Sequence, residues 1–410
     1  MTDSIASLVL ALAVILIAGK LGGSLAARFG QPEVLGELVA GILLGNVGLH
    51  GNFWFRGIGA DHTVDALAQL GAILLLFEVG VDSTVGDMLK IGVRAAAVAI
   101  LGIGATWALG SATAVLLVPD RSVLVYAFVG ATLTATSIGI TVRVFRDFDR
   151  SRSPEARLVL GAAVIDDVVG LVVLAVLTSA ITAADRGTAM DGSAIVWTVA
   201  KAVGFLVGAL TIGVLTSRPL FALVARLAAR DLLLVTALAF CFVLAYCAWL
   251  VGLAPIIGAF AAGLILEDGH SELFASRGER PLPELLHPIG SVFFPLFFVV
   301  TGLRVDLGAF ADTRVLGLAA LLLVAAVLGK QACALGTLGA PINRWTVALG
   351  MVPRGEVQLI YANLALGLAV RSTPIFDSGL FSAVVFVVVS TSLMTPAALK
   401  WSFTRDPRAP

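Results

Sequence analysis

Charge is what this sequence has least of. Asp, Glu, Lys and Arg together make up 13% of its 410 residues, where a soluble globular domain carries about 25%. Hydrophobic residues make up 59%, and mean hydropathy is +1.01. So little charge does not cover a water-facing surface, and the chain reads as an all-α polytopic membrane protein embedded in a lipid bilayer. Net charge is zero, so nothing draws it to nucleic acid. Cysteine is also scarce. Cys241, Cys247 and Cys333 fall inside apolar runs without metal-ligand spacing and read as packing residues. His50, His62, His270 and His287 lie at span ends or in loops and form no cluster, so neither a metal centre nor a cofactor is expected. No Gly-rich loop leads into Lys and Ser or Thr. The longest loop, roughly residues 268–286, is too short for a nucleotide-binding domain, which argues against ATP-driven transport within this chain. The start, MTDSIASLVLALAVILIAG, carries Asp3 and no basic leader region, and reads as a retained first helix.

What the chain does have is one apolar stretch after another. Windows of about 19 residues predict thirteen spans, near 4–20, 33–50, 64–81, 92–117, 122–143, 157–182, 194–217, 231–250, 252–267, 287–303, 314–337, 345–369 and 375–398. Basic residues divide unevenly between their connections. The odd-numbered connections and the C-terminal tail hold 18, among them Arg143, Arg146, Arg150, Arg152 and Arg157; the even-numbered connections hold six. The positive-inside rule then puts the odd connections and the C-terminus in the cytoplasm and the N-terminus outside, in a cytoplasmic membrane.

Two segments recur at one offset. AGILLG at 40–45 resembles AGLILE at 262–267, and LLLFEVGVD at 74–82 resembles LFFVVTGLRVD at 296–306, so that Gly41 matches Gly263 and Gly80 matches Gly302, both 222 residues on. Seven spans separate the copies, which therefore face opposite ways: two inverted-topology repeats, a pattern of secondary transporters. Extending the offset pairs the fifth span with the twelfth. The fifth holds GATLTATSIGITVRVF, with Thr132, Thr134, Thr136, Ser137 and Thr141; the twelfth holds GMVPRGEVQLIYANL, with Pro353, Arg354, Gly355 and Glu356. Pro removes a backbone donor and Gly loosens a helix. Freed backbone groups survive at membrane depth only beside protein or a wet cavity. These two spans are expected to be discontinuous helices that cross near the midplane, where hydroxyls and half-helix ends help to hold an ion. Helix–helix packing is the competing reading for the Thr/Ser cluster.

Few ionisable residues lie well inside spans. Asp166 and Asp167 sit side by side in GAAVIDDVVGLVVLAVL, where a single mid-helix Asp costs roughly 2.5–3.5 kcal/mol on insertion scales. Neighbouring helix residues point about 100° apart, so one can face a cavity while the other meets a neighbouring helix. Lys330 in the eleventh span is the expected countercharge for one of them, with snorkelling as its alternative. Two adjacent carboxyls repel each other, and burial disfavours their charge, so at least one is held toward its protonated form. A cation offered the same oxygens displaces that proton. Competition of this kind, in two inverted bundles able to rock, suffices for antiport.

ATLTATSIGITVRVF followed by ARLVLGAAVIDDVVGLVVLAVL resembles the NapA-type monovalent cation:proton antiporters, in the second branch of that superfamily. The resemblance runs nearly the whole length, through PEVLGELVAGILLG, LFFVVTGLRVDL and GMVPRGEVQLI. It implies that Asp167 is the main ion carrier, binding Na+, and that Asp166 pairs with Lys330. It also implies electrogenic Na+ (or Li+)/H+ exchange by an elevator-like motion, in a homodimer. Residues 90–182 and 314–398 would form the ion-transport core, 1–83 and 231–306 the dimerisation scaffold, and 194–217 the linking span. A K+/H+ antiporter is the alternative within transport, since the motif does not fix cation size. A sodium-coupled organic-solute symporter would need a second pocket, and no aromatic or Arg pair marks one. A channel would conduct without stoichiometric proton movement.

Overall fold

The computed structural model describes residues 2–47, 61–81, 92–137, 140–141, 144–145, 148, 150, 153–187, 192–224, 232–266, 280–370 and 373–404. With no water in a bilayer core, a spanning backbone must satisfy its own polar groups, and helices do so within one segment. In chain order the helices are α1 (Thr2–Arg28), α2 (Glu33–Asn46), α3 (His62–Val81), α4 (Val93–Leu117), α5 (Val123–Thr132), α6 (Pro154–Asp185) and α7 (Gly192–Val224). They continue with α8 (Leu232–Leu250), α9 (Pro255–Ile265), α10 (Leu282–Leu303), α11 (Thr313–Gln331), α12 (Arg344–Gly350), α13 (Glu356–Leu366) and α14 (Ser378–Thr404). A two-residue hairpin, Ala369–Val370 against Thr373–Pro374, is the one sheet among the described residues.

Nine of these helices are long and apolar enough to cross a membrane, among the described residues. The other predicted spans, the second, fifth, ninth and twelfth, are represented by the shorter α2, α5, α9 and the α12–α13 pair. The 14 residues of α2 rise about 21 Å and the 11 of α9 about 16 Å, short of a hydrocarbon core of about 30 Å. The fifth and twelfth are short because each is interrupted: α5 stops at Thr132, and α12 stops at Gly350 before α13 begins at Glu356.

Polar residues mark the helix starts. Ser153 accepts from the Ala156 amide ahead of Pro154, Asp312 from Arg314, and Asn343 from both Trp345 and Thr346. Asp61 accepts from Val64 and Thr63 at the start of α3, and these two amides hold its carboxyl below the usual aspartate range.

The chain divides into two compact units. One comprises Met1–Leu25, Gly36–Asp87 and Asp191–Leu303. Its core joins Phe77 of α3, Phe221 of α7, Cys241 of α8 and Ala259 of α9 in one cluster, and Ala11, Ala68 and Val299 in another. Here glycines let backbones touch. A Cβ on Gly41 would strike the Val299 carbonyl, and one on Gly302 would meet the Gly41 Cα at 2.8 Å. Likewise a Cβ on Gly80 would strike the Phe260 carbonyl, and one on Gly263 would meet the Gly80 Cα at 2.7 Å. The 222-residue offset turns the first contact, Gly41 with Gly302, into the second, Gly263 with Gly80. It also turns the approach of Gly22 to Gly36 into that of Leu244 to Gly258.

The second unit comprises Ala26–Leu35, Met88–Met190 and Arg304–Pro410. Small and branched residues pack its helices: Val98 and Ala99 of α4, Ala162 and Ala163 of α6, Cys333, and Val347 of α12 share one cluster. Phe145, Ala156, Leu399 and Phe403 share another. Both interrupted helices belong to this unit.

Candidate ion site

The 32-residue helix α6 carries Asp166 and Asp167 about 18–20 Å along its axis from Pro154, near the depth where a bilayer is driest. Both carboxylates are buried, Asp166 at 0% exposure and Asp167 at 4%. Lys330 of α11 is as deeply buried, and its Nζ lies 2.7 Å from Oδ2 of Asp166. The geometry thus gives Lys330 to the first aspartate. The Thr136 hydroxyl reaches the same Oδ2 at 2.7 Å and stands 3.2 Å from the Met351 carbonyl. Oδ1 of Asp166 is buried and makes no hydrogen bond among the described residues. A buried pair gains when further hydrogen bonds satisfy its remaining lone pairs, and Thr136 supplies one, to a second lone pair of Oδ2.

Past Thr132 the α5 backbone leaves helical geometry, and past Gly350 so does that of α12. Residues at and beside the two breaks bond to each other. The Ser137 amide donates to the Pro353 carbonyl at 2.9 Å, and the Thr141 hydroxyl to the Gly350 carbonyl at 2.7 Å. Backbone groups freed by the breaks therefore find partners in the opposite break. Thr132 and Thr134 behave differently from Thr136. Their hydroxyls donate locally, to Phe128 and Ala131, each at 2.8 Å.

Arg354 is completely buried. Its guanidinium donates to the carbonyls of Ala135 at 3.1 Å, Met351 at 3.3 Å and Ala326 at 3.1 Å. Met351 caps the C-terminal end of α12, where the last carbonyls carry partial negative charge, so the cation answers that dipole end. Its own backbone is held too: its amide donates to Thr391 at 3.2 Å and its carbonyl accepts from Ser392 at 2.8 Å. Gln358 donates to the Ala135 carbonyl, and its Oε1 accepts from the Gly355 amide at 2.7 Å, capping α13. Glu356 begins α13, but its side chain lies outside the described residues.

The structure thus brings Asp166, Lys330, Thr136 and the two breaks together, with Asp167 next along α6. Thr132 and Thr134 end or follow α5 without bonding to the carboxylates. The residues missed in the sequence are Gln358, Thr391, Ser392 and Tyr361. Gln358 sits three residues after Gly355, the spacing of a capping box. Thr391, Ser392 and Thr395 lie on adjacent turns of one apolar span, which is a signal of a polar face. Tyr361 is one of three tyrosines in the chain, fully buried, and its hydroxyl makes no hydrogen bond among the described residues.

The chain matches the family described as "Sodium/hydrogen exchanger, transmembrane" over residues 9–405. It is 32% identical to the high-affinity Na(+)/H(+) antiporter NhaS3 of Synechocystis sp., covering 97% of this chain and 90% of that protein. It is 29% identical to the Na(+)/H(+)-K(+) antiporter GerN of Bacillus cereus, covering 97% of each. Its fold is similar to that of the sodium proton antiporter MjNhaP1 from Methanocaldococcus jannaschii, with a TM-score of 0.71 at 14% identity over 96% of this chain and 99% of the other.

Proposed function

The chain belongs to the sodium/hydrogen exchanger family, a family of transporters rather than enzymes, and from that premise we propose that it exchanges Na+ or Li+ for H+ across the cytoplasmic membrane. The observation that carries this reading is the buried aspartate pair, with Asp166 bound to Lys330 and to Thr136 at the break after α5, and Asp167 next along α6. Asp167 alternates between a proton and a monovalent cation. Hydroxyl and carbonyl oxygens of the two breaks, with Thr136, Thr132, Thr134 and Ser137 among them, complete the shell of a hard cation, which prefers oxygen ligands. Arg354 holds the breaks in place, and Glu356 adds a carboxylate at the start of α13.

A cycle that trades one proton for one cation at Asp167 moves no net charge. Electrogenic exchange needs a second proton, and the Asp166–Lys330 pair is the place for it. When a cation draws Asp166 away, Lys330 loses its countercharge and gives up a proton. Alternating access follows from an elevator-like shift of residues 90–182 and 314–398 as the core. Residues 1–83 and 231–306 act as the scaffold of a homodimer, joined by the span at 194–217. The offset-related glycine contacts support an inverted repeat, and the bonds between the two breaks support crossed discontinuous helices. The N-terminus lies outside and the C-terminus in the cytoplasm, by the distribution of basic residues. The narrower NapA-type placement rests on the double-aspartate motif.

K+ is the second cation to consider, because one relative is called a Na(+)/H(+)-K(+) antiporter. The test is reconstitution in liposomes containing a pH-sensitive dye, with Na+, Li+ or K+ added outside. Internal alkalinisation is expected with Na+ and Li+. If no cation moves protons, the antiporter reading fails; if only K+ does, the choice of cation is wrong.

A further inference from the structure

The exchange cycle described above leaves one buried hydroxyl of this site idle. Tyr361 lies on α13, five residues past its start at Glu356, and is fully buried. A phenol taken out of water forfeits its hydrogen bonds, so buried tyrosines ordinarily find a partner. The Oη of Tyr361 has none among the described residues. Phenylalanine would fill the same space without that penalty. A polar atom kept dry and unbonded in one state is readily explained by a partner that arrives in another.

The position of the hydroxyl says what that partner is. Oη lies against Gly170 of α6, where a Cβ would stand 2.9 Å from it. The aromatic ring is rigid, so this approach depends on the missing side chain at 170. Gly170 follows Asp167 by three residues and Asp166 by four, the spacings that put helix residues on one face in adjacent turns. The hydroxyl therefore lies against the side of α6 on which both aspartates stand within one turn. The charged groups on the elements around it are Asp166 and Asp167 on α6, Lys330 on α11, Arg354 at the break and Glu356 on its own helix. Lys330 is engaged by Asp166, and Arg354 by three carbonyls.

We propose that the Tyr361 hydroxyl is a further residue of the ion site, donating to the Asp167 carboxylate when that group is ionised and cation-free, and turning its oxygen to the cation when one is bound. This deepens the antiporter reading and rests on it. Donation to an ionised carboxylate favours the charged form, so the phenol helps Asp167 to release its proton. A phenol oxygen is also a neutral hard ligand, suited to a partly dehydrated monovalent cation. Both effects favour cation over proton.

Tyr361→Phe keeps the ring and removes the oxygen. In the liposome assay with Na+, the activity-versus-pH profile of this variant is expected to move to higher pH by about one unit. The apparent KM for Na+ at fixed pH should rise about tenfold, more than the maximal rate falls. The Tm of the purified variant should equal or exceed that of the parent, because a dry hydroxyl has been removed; a residue with only a structural role would lower it. Gly170→Ala keeps the tyrosine but pushes its hydroxyl aside, and is expected to shift the pH profile and KM in the same direction. Should Tyr361→Phe fail to fold, Gly170→Ala decides. An unchanged pH profile and KM in a folded variant, beside an active parent, would overturn the proposal and leave the antiporter reading standing. An inactive parent protein would instead count against the antiporter reading itself.

Discussion

Removing Lys330 perturbs the most deeply buried ion pair among the described residues. Both side chains are at 0% exposure, and the 2.7 Å separation leaves no room for water between them. In Lys330→Ala, Asp166 keeps the Thr136 bond but loses its countercharge in a dry site. Breaking one side of a buried pair costs about 3–5 kcal/mol, because the remaining charge is left uncompensated. In a unit of roughly 200 residues this corresponds to a fall in Tm of about 6–20 °C. Asp166→Asn leaves the ammonium stranded and should cost a similar amount. The double variant removes both charges, and buried pairs replaced together by neutral groups are often nearly neutral in stability. With single losses of about 3–5 kcal/mol each and a double loss near zero, the double-mutant cycle should show a coupling of about 6–10 kcal/mol, read by thermal unfolding of the detergent-purified protein with tryptophan fluorescence. If the two losses simply add, Lys330 and Asp166 do not depend on each other, and the electrostatic argument built on their contact is wrong.

Other variants test the neighbouring parts. Asp167→Asn removes the carboxylate assigned to carry the ion while nearly preserving its shape, and should abolish exchange with Tm within a few degrees of the parent; proton movement at the parent rate would take Asp167 out of the mechanism. Arg354→Ala withdraws the donors of three buried carbonyls and should cost about 3–5 kcal/mol, with Arg354→Lys restoring only part of it because an ammonium lacks the guanidinium fork. A parental Tm for Arg354→Ala would show that the breaks do not need it.

The sequence exposed what burial makes costly and concealed what depends on direction. Two aspartates in an apolar helix stand out in any hydropathy trace, and a lone lysine in another span invites pairing with them. Which aspartate Lys330 meets depends on a rotation of about 100° between neighbours, and that is fixed only by how α11 and α6 each pack on α4. The hydroxyl cluster shows the same limit. Thr132, Thr134 and Thr136 look alike in ATLTATS, yet the first two turn back onto their own helix end while the third reaches Asp166. The difference arises because α5 stops at Thr132, after which side chains no longer follow helical spacing. Arg354 reads in the sequence as a residue of a discontinuous span, and in the structure its side-chain hydrogen bonds go to three carbonyls. Tyr361 was hidden because one aromatic in an apolar run ordinarily means packing. The glycine offset was legible because close backbone contact tolerates no other residue at those positions.

Charge increments at the proposed site account for why it would exchange rather than merely bind. Fully ionised, Asp166 and Asp167 balance Lys330 and Arg354, all buried in one unit. A proton on Asp167 adds one positive charge, and a cation at the same oxygens adds one as well before any proton leaves Lys330. Either occupant alone changes the site by the same unit, whatever Glu356 contributes to the starting value. Both together add two charges a few ångströms apart. At 4 Å and an effective dielectric of about 20, their repulsion is about 4 kcal/mol, enough to make double occupancy roughly a thousandfold rarer than single occupancy. The empty site, carrying two ionised carboxylates, is the form that most needs a cation. The proposed donation from Tyr361 stabilises that form enough for the proton to leave. Mutual exclusion of the two ions then follows from where four charges are buried, with no gate required to enforce it.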